Sequence, residues 1–246
     1  MSDSVKTGVK SAQPVKGFHY PAGAQVRLRA SQHLLQTETA SLKCYLGTIA
    51  SGFQSEFAAF HAHVQAQAAD MDEDTQQRYM EDRADTAHDL TSEFPRRARE
   101  ATFVLAYSIL EDDLLNIARN VGLHLGITKD PEKGKDKGIF AARSFLVDSC
   151  GIAFPEQGKP WQEILEYNRL RNAVVHKRGR IHRSKHREEI IAYVARTPSV
   201  TLNEGTGRLE FSQEFCFKVL DDTEALLMTL FTLALDKVRS VPESRA

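Results

Sequence analysis

A chain of 246 residues with 41% hydrophobic and 26% charged side chains and only eight prolines is a globular sequence, neither fibrous nor disordered. Its longest apolar run, residues 225–235, contains two threonines and is shorter than the about 20 residues a membrane span needs. The net charge is −1, but residues 169–187 hold eight Lys or Arg and no acid, which leaves −9 on the rest and gives a polyanion one place to bind.

The first 24 residues mix Lys, Ser, Gly and Pro without an apolar stretch, so they read as a mobile tail rather than a secretory leader. Cys44, Cys150 and Cys216 are far apart and odd in number, which predicts small apolar groups in a reducing compartment and a cytoplasmic protein. From residue 26 to 71, Leu34, Leu35, Leu42, Leu46, Ile49, Phe53, Phe57, Phe60 and Val64 recur at threes and fours, one face of a long helix that Gly47 and Gly52 could bend. Residues 72–92 are acidic and poor in core side chains, as in an exposed helix. Ser92 and Pro95 signal a helix start, and Phe103, Ala106, Tyr107, Leu110, Leu114, Ile117 and Val121 carry it to a stop at Gly122. Residues 129–138 are a charged, Gly-rich surface loop without the ending of a phosphate-binding P-loop.

A short helix over 139–149 precedes one opened by Pro160 and ended by Gly179, and another helix is expected over 185–196. Alternating apolar residues around NEGTG, between Pro198 and Ser212, predict one β-hairpin. The final helix, 213–239, is apolar nearly all round and should be central. The fold expected is therefore an all-α bundle with a long N-terminal helix and a small hairpin before the C-terminal helix. Its divisions are a tail (1–24), an N-terminal helical region (25–92) and a helical domain (93–246).

Near the end of the Pro160 helix stands an RNxxxH string formed by Arg171, Asn172 and His176. Composition alone predicts roughly 0.01 such strings in a random order. A second copy nevertheless exists at Arg119, Asn120 and His124, and a looser Arg83 to His88 pair has Ala84 in the Asn place. The Arg171 copy keeps its helix intact and lies in the basic segment, whereas Gly122 is expected to leave His124 on a loop. At 100° per residue Asn172 and His176 are about 40° apart, but Arg171 and His176 are about 140° apart. A long side chain or a symmetry mate must bring the latter two together.

This string resembles the hallmark of the HEPN superfamily, α-helical proteins that are frequently metal-independent ribonucleases of toxin, abortive-infection and antiviral systems. The resemblance covers about residues 94–240. It implies catalytic roles for Arg171, Asn172 and His176, a homodimer whose two motifs share a cleft, and an acid on an earlier helix, for which Glu111 fits, with Asp112 beside it. It also implies RNA as partner, a possible neutralising antitoxin or defence-system partner, and no metal or cofactor; Lys177, Arg178 and Arg180 are the expected substrate-binding cations.

The chemistry is coherent on its own terms. Imidazole titrates near neutrality and can take the 2′-OH proton or supply one to the leaving 5′-oxygen. Arg171 offers a planar, permanently charged fork to phosphate oxygens, Asn172 can hold the histidine or a phosphate, and Glu111 can orient Arg171 or His176. DNA lacks the 2′-OH and should survive. Plainer roles compete: His176 as a cation at a helix C-terminus, Arg171 as a surface charge over Tyr167, Glu111 as an exposed helix acid. His182, His186 and Glu189 have metal-like spacing, but Arg183 stands where an HExxH site needs Glu. His61 and His63 point to different helix faces, and Trp161 is expected in the core. Against the endoribonuclease stand a noncatalytic HEPN-like scaffold that dimerises or binds RNA or nucleotide, and a helical protein whose basic segment docks an acidic partner.

Overall fold

The structure, a computed structural model, describes residues 23–241. The expected tail lies outside the described residues except for Gly23, the residue capping the first helix, and Ala24, which opens it.

Helix α1 (Ala24–Ala68) buries Ala24, Leu28, Leu35, Thr39, Leu42 and Leu46, a seam spaced by threes, fours and sevens that lies along α4 (Phe94–His124) and α8 (Gln213–Ser240). Those three helices share one hydrophobic core. Leu34, expected on the same face, is one residue off the seam and 56% exposed. Beyond Leu46 the seam thins: Phe53, Phe57 and Phe60 are half-buried, and only Val64 and Ala68 are fully covered. Neither Gly47 nor Gly52 interrupts the helix, and nothing lies within 4 Å of either missing Cβ.

The acidic stretch forms two exposed helices, α2 (Glu73–Glu81), capped by the Asp72 carboxylate accepting from the Thr75 amide at 3.1 Å, and α3 (Ala84–His88). A π-turn (Asp89–Glu93) joins α3 to α4 without a break, so the boundary expected near residue 92 falls inside continuous helix. Gly122 does not end α4. The helix continues to His124, and the missing Cβ leaves room for the Phe145 ring, whose atoms would sit 2.8 Å from it.

A loop with one 3₁₀ turn (Pro131–Lys133) leads to α5 (Ile139–Ser144) and a second π-turn (Phe145–Ser149). Helix α6 (Lys159–Lys177) lies against α4 and α8, and Trp161, 3% exposed, meets Phe154 edge-on at 4.8 Å. Helix α7 (Arg187–Arg196) starts slightly later than the sequence suggests. Strands β1 (Val200–Asn203) and β2 (Arg208–Phe211) form the expected hairpin, Val200 opposite Phe211, and seat Phe211 against Phe103 and Phe215. The fold is thus all-α with a two-stranded hairpin before the last helix.

Helix α8, capped by Ser212, is buried along most of its length. Where α6, α7 and α8 meet, Lys218 Nζ donates to Glu163, Asp222 and the Tyr167 hydroxyl at 3.0, 2.6 and 2.8 Å, and Tyr193 donates to Glu163 at 3.1 Å. Burial disfavours the Lys218 ammonium, but the two carboxylates outweigh it and hold its pKa above the ordinary lysine value. This satisfied network fixes the face that α6 turns toward the core.

Candidate functional site

Helices α4 and α6 run antiparallel, and the Arg171 copy of the string lies on the half-buried flank of α6 that faces α4. Arg171 Nη1 donates to Asn172 Oδ1 at 3.2 Å, Asn172 Nδ2 donates to Asn168 Oδ1 at 3.3 Å, and the Tyr107 hydroxyl donates to the same Asn168 oxygen at 3.0 Å. The guanidinium lies over the Tyr107 ring at 5.6 Å from its centroid. The plainer role for Arg171, a surface charge over Tyr167, is not what the structure shows: Tyr167 is buried and donates to Asp222. Arg171 Nε is buried without a hydrogen-bond partner.

Glu111 belongs to this neighbourhood, one helical turn after Tyr107. Burial raises the Tyr107 hydroxyl above its ordinary pKa, the Glu111 carboxylate raises it further, and Arg171 pulls it down. Gly138, at φ 56° just before α5, comes so close that a Cβ there would strike the Glu111 carboxylate. Helix α5 therefore begins against the acid. Asp112, the neighbouring carboxylate, is exposed on another face of α4.

His176 is not part of that network. It lies on the solvent-facing side of the last turn of α6, exposed, with no hydrogen bond to any described residue. Five residues of helix separate it from Arg171 by about 7.5 Å of rise and about 140° of rotation. Within one chain the arginine and histidine do not converge.

The second copy is consumed by structure. Arg119 pairs with Glu132, Asn120 is 6% exposed and accepts from Arg27 Nε at 2.5 Å, and His124 is 6% exposed with Nε2 at 2.7 Å from the Val241 carbonyl. A carbonyl only accepts, so Nε2 donates there, and Nδ1 is buried with no hydrogen-bond partner. His124 is helical and covered, not on a loop.

Of the expected substrate-binding cations, Lys177, Arg178 and Arg180 are all exposed. Arg178 adopts φ 53° and Gly179 φ 75° as the chain leaves α6, and the Gly179 amide closes onto the Ala173 carbonyl at 3.0 Å. Elsewhere the basic segment is partly neutralised, Arg169 by Glu166 at 2.8 Å. His186 contacts Glu189 at 3.3 Å, and among the described residues no three ligating side chains are placed to hold a metal ion.

The sequence reading missed the polar roles of Tyr107, which lies beside Glu111 and donates to Asn168, and of Asn168, which also accepts from Asn172. The available signal was spacing: each precedes its partner, Glu111 or Asn172, by four residues on a helix. What the fold defines is an all-α bundle displaying a guanidinium, two amides, a buried phenol and a carboxylate along one interhelical seam, with the His176 imidazole outside it, exposed on the last turn of α6. The chain matches no protein-family model, no curated protein and no solved structure.

Proposed function

We propose that this protein is a metal-independent endoribonuclease of HEPN type, acting in a toxin or phage-defence system. The observation that carries the reading is the contrast between the two RNxxxH copies. The Arg119 copy is tied into structural contacts, while the Arg171 copy leaves His176 open to solvent beside the exposed cations Lys177, Arg178 and Arg180.

The chemistry is assigned as follows. Arg171, fixed by Tyr107 and Asn172, binds the scissile phosphate and neutralises the charge that develops as the 2′-oxygen attacks. His176 takes the 2′-OH proton or protonates the leaving 5′-oxygen. Glu111 acts through Tyr107 as a positioning residue, since it lies beside the phenol rather than beside the imidazole. Because Arg171 and His176 diverge on one helix, the working site is formed in a homodimer, with His176 of one protomer opposite Arg171 of its partner. An antitoxin or defence-system partner that restrains the activity belongs to the same proposal, as does action in the cytoplasm. No described helix is long and apolar enough to cross a membrane.

The test is cleavage of a labelled RNA by purified protein in EDTA, with 2′,3′-cyclic phosphate ends as product. His176→Ala and Arg171→Ala should each lower the rate at least 100-fold, and mixing the two variants should restore part of it through heterodimers. Full activity in His176→Ala refutes the assignment.

One observation favours a second reading. His176 lacks the orienting partner that a histidine general base ordinarily has, which suits a noncatalytic HEPN-like scaffold that dimerises or binds RNA or nucleotide. Salt-sensitive RNA binding without turnover selects it.

A further inference from the structure

Away from the RN pair, the first turns of α4 face the β-hairpin across a cleft of about 440 Å³, walled by Arg96, Arg99, Arg208, Asn203 and Thr206. A second lobe of about 400 Å³ shares Arg96 and Arg208 and continues past Arg97 and Val174 to Arg178 at the end of α6. The two lobes make one trough running from the hairpin to a point two residues beyond His176.

Five guanidiniums, Arg96, Arg97, Arg99, Arg178 and Arg208, face three carboxylates, Glu93, Glu100 and Glu210. The carboxylates are not spread evenly. Arg96, 8% exposed, takes up Glu93 at 2.8 Å and Glu100 at 2.7 Å, and its hydrogen bonds hold the Glu93 carboxyl down at about 2. Arg97 is a second partner of Glu93 at 3.4 Å, and Glu210 accepts from Asn203 at 2.9 Å. The guanidiniums of Arg99, Arg178 and Arg208 have no ion pair or hydrogen bond among the described residues. Moreover, Arg99 Nε and Arg208 Nε are buried with no hydrogen-bond partner, although Arg99 lies within electrostatic reach of Glu214. Buried N–H groups are normally satisfied, so two orphans on opposite walls of one polar cleft mark a missing acceptor.

An anion is the acceptor that a cluster of guanidiniums favours most, and their forks suit phosphate oxygens. The remaining walls are hydroxyls and amides, Thr91, Ser92, Thr206 and Asn203, with His88 the sole ring. Such a surface suits sugar and phosphate, and among the residues lining it only His88 and the arginine planes could stack on a base. Its extent and open end toward α6 suit a strand rather than an isolated ion. The fold holds the walls in place: Arg208 Cγ would be 3.0 Å from a Cβ on Gly179, so the hairpin abuts the α6 exit directly.

We infer that this trough, with Arg99 and Arg208 at its centre, binds the sugar–phosphate backbone of a single-stranded RNA and leads it to the end of α6. The inference deepens the ribonuclease reading by giving the strand a path, yet it is measured as binding and does not require turnover.

The experiment uses the full chain carrying His176→Ala, which keeps RNA intact, and fluorescence anisotropy with labelled oligouridine of 2 to 20 nucleotides between 50 and 200 mM salt. Arg99→Gln combined with Arg208→Gln should weaken binding of the longer strands at least 10-fold. The slope of log affinity against log salt should fall by about 1.4, the value for two lost phosphate contacts on a single strand. Arg29→Gln with Arg239→Gln, exposed and remote from the trough, should change binding less than twofold. If circular dichroism shows that the first pair is misfolded, Arg97→Gln with Arg178→Gln, at exposed positions of the second lobe, should weaken binding at least fivefold. Unchanged affinity and salt slope in the folded trough variants overturn the inference. So does affinity that is independent of length and abolished by micromolar uridine monophosphate, which would make the ligand a free nucleotide. Loss of cleavage by His176→Ala alongside normal RNA affinity of the trough variants refutes the trough and spares the nuclease; trough-dependent binding without cleavage by the native chain does the reverse.

Discussion

Replacing Asp113 by asparagine should stabilise the protein at pH 8 and much less at pH 5. Asp113 lies on α4, half-buried where α1 crosses it. Burial pushes its carboxyl from 3.8 up to about 7, and the charges of Glu38 on α1 and Asp112 beside it add to the shift. The native state therefore binds a proton that the unfolded chain releases between those two values. Stability from this group is complete below pH 3.8 and is lost as pH rises to about 7. A shift of about three units corresponds to at most about 4 kcal/mol, and partial exposure with solvent screening reduces that to about 1–2 kcal/mol. Roughly a third of the loss has occurred by pH 5, since the slope is constant between the two pKa values. Asp113→Asn should consequently raise Tm at pH 8 by about 2–8 °C, given about 2–4 °C per kcal/mol for a chain of this size. At pH 5 the gain should be a third of that. Thermal melts followed by far-UV circular dichroism at both pH values decide the matter. An equal shift at the two pH values, or a lower Tm for the variant at pH 8, refutes the carboxylate argument.

Other perturbations separate structure from chemistry. Gly138→Ala forces a side chain into φ 56° and against the Glu111 carboxylate, so it should cost about 1–3 kcal/mol in urea unfolding and lower RNA cleavage together. His124→Ala removes a buried ring bonded to the Val241 carbonyl and should lower Tm while the folded fraction still cleaves RNA; His176→Ala, exposed and without a partner, should leave Tm within about 1 °C. Trp161→Ala empties the space beside Phe154 and Phe140 and should cost about 3–5 kcal/mol by denaturant titration. Burial raises the Cys150 thiol to about 11 and Cys216 to about 12, whereas Cys44 is exposed, so a maleimide at pH 7.5 should label Cys44 alone, as peptide mass mapping will show.

The exposure of Cys44 also shows where one-dimensional reading stops. Its neighbours Leu42 and Leu46 follow the helical period and are buried, while cysteine, small and apolar, gives no phase of its own. The same limit applies to Leu34 beside Leu35, since periodicity fixes a face to within a residue and packing decides its edge. Gly122 illustrates the opposite error: a glycine that ends helices in isolation was kept inside α4 because the Phe145 ring fills the space its Cβ would occupy.

Local sequence determined the helices, the hairpin and the isolated motif helix, because apolar period, caps and turn residues act over a few positions and are written consecutively. Asp72, Ser212 and Gly179 mark element ends in the sequence as they do in the fold. Tertiary structure alone decided which RNxxxH copy stayed accessible, that Tyr107 on α4 meets Asn168 and Arg171 on α6, and that arginines from residues 96–99, 178 and 208 line one trough. The pairings between elements span from 30 to more than 100 positions of chain, and only the antiparallel packing of α4 on α6, closed by the hairpin, sets their distances.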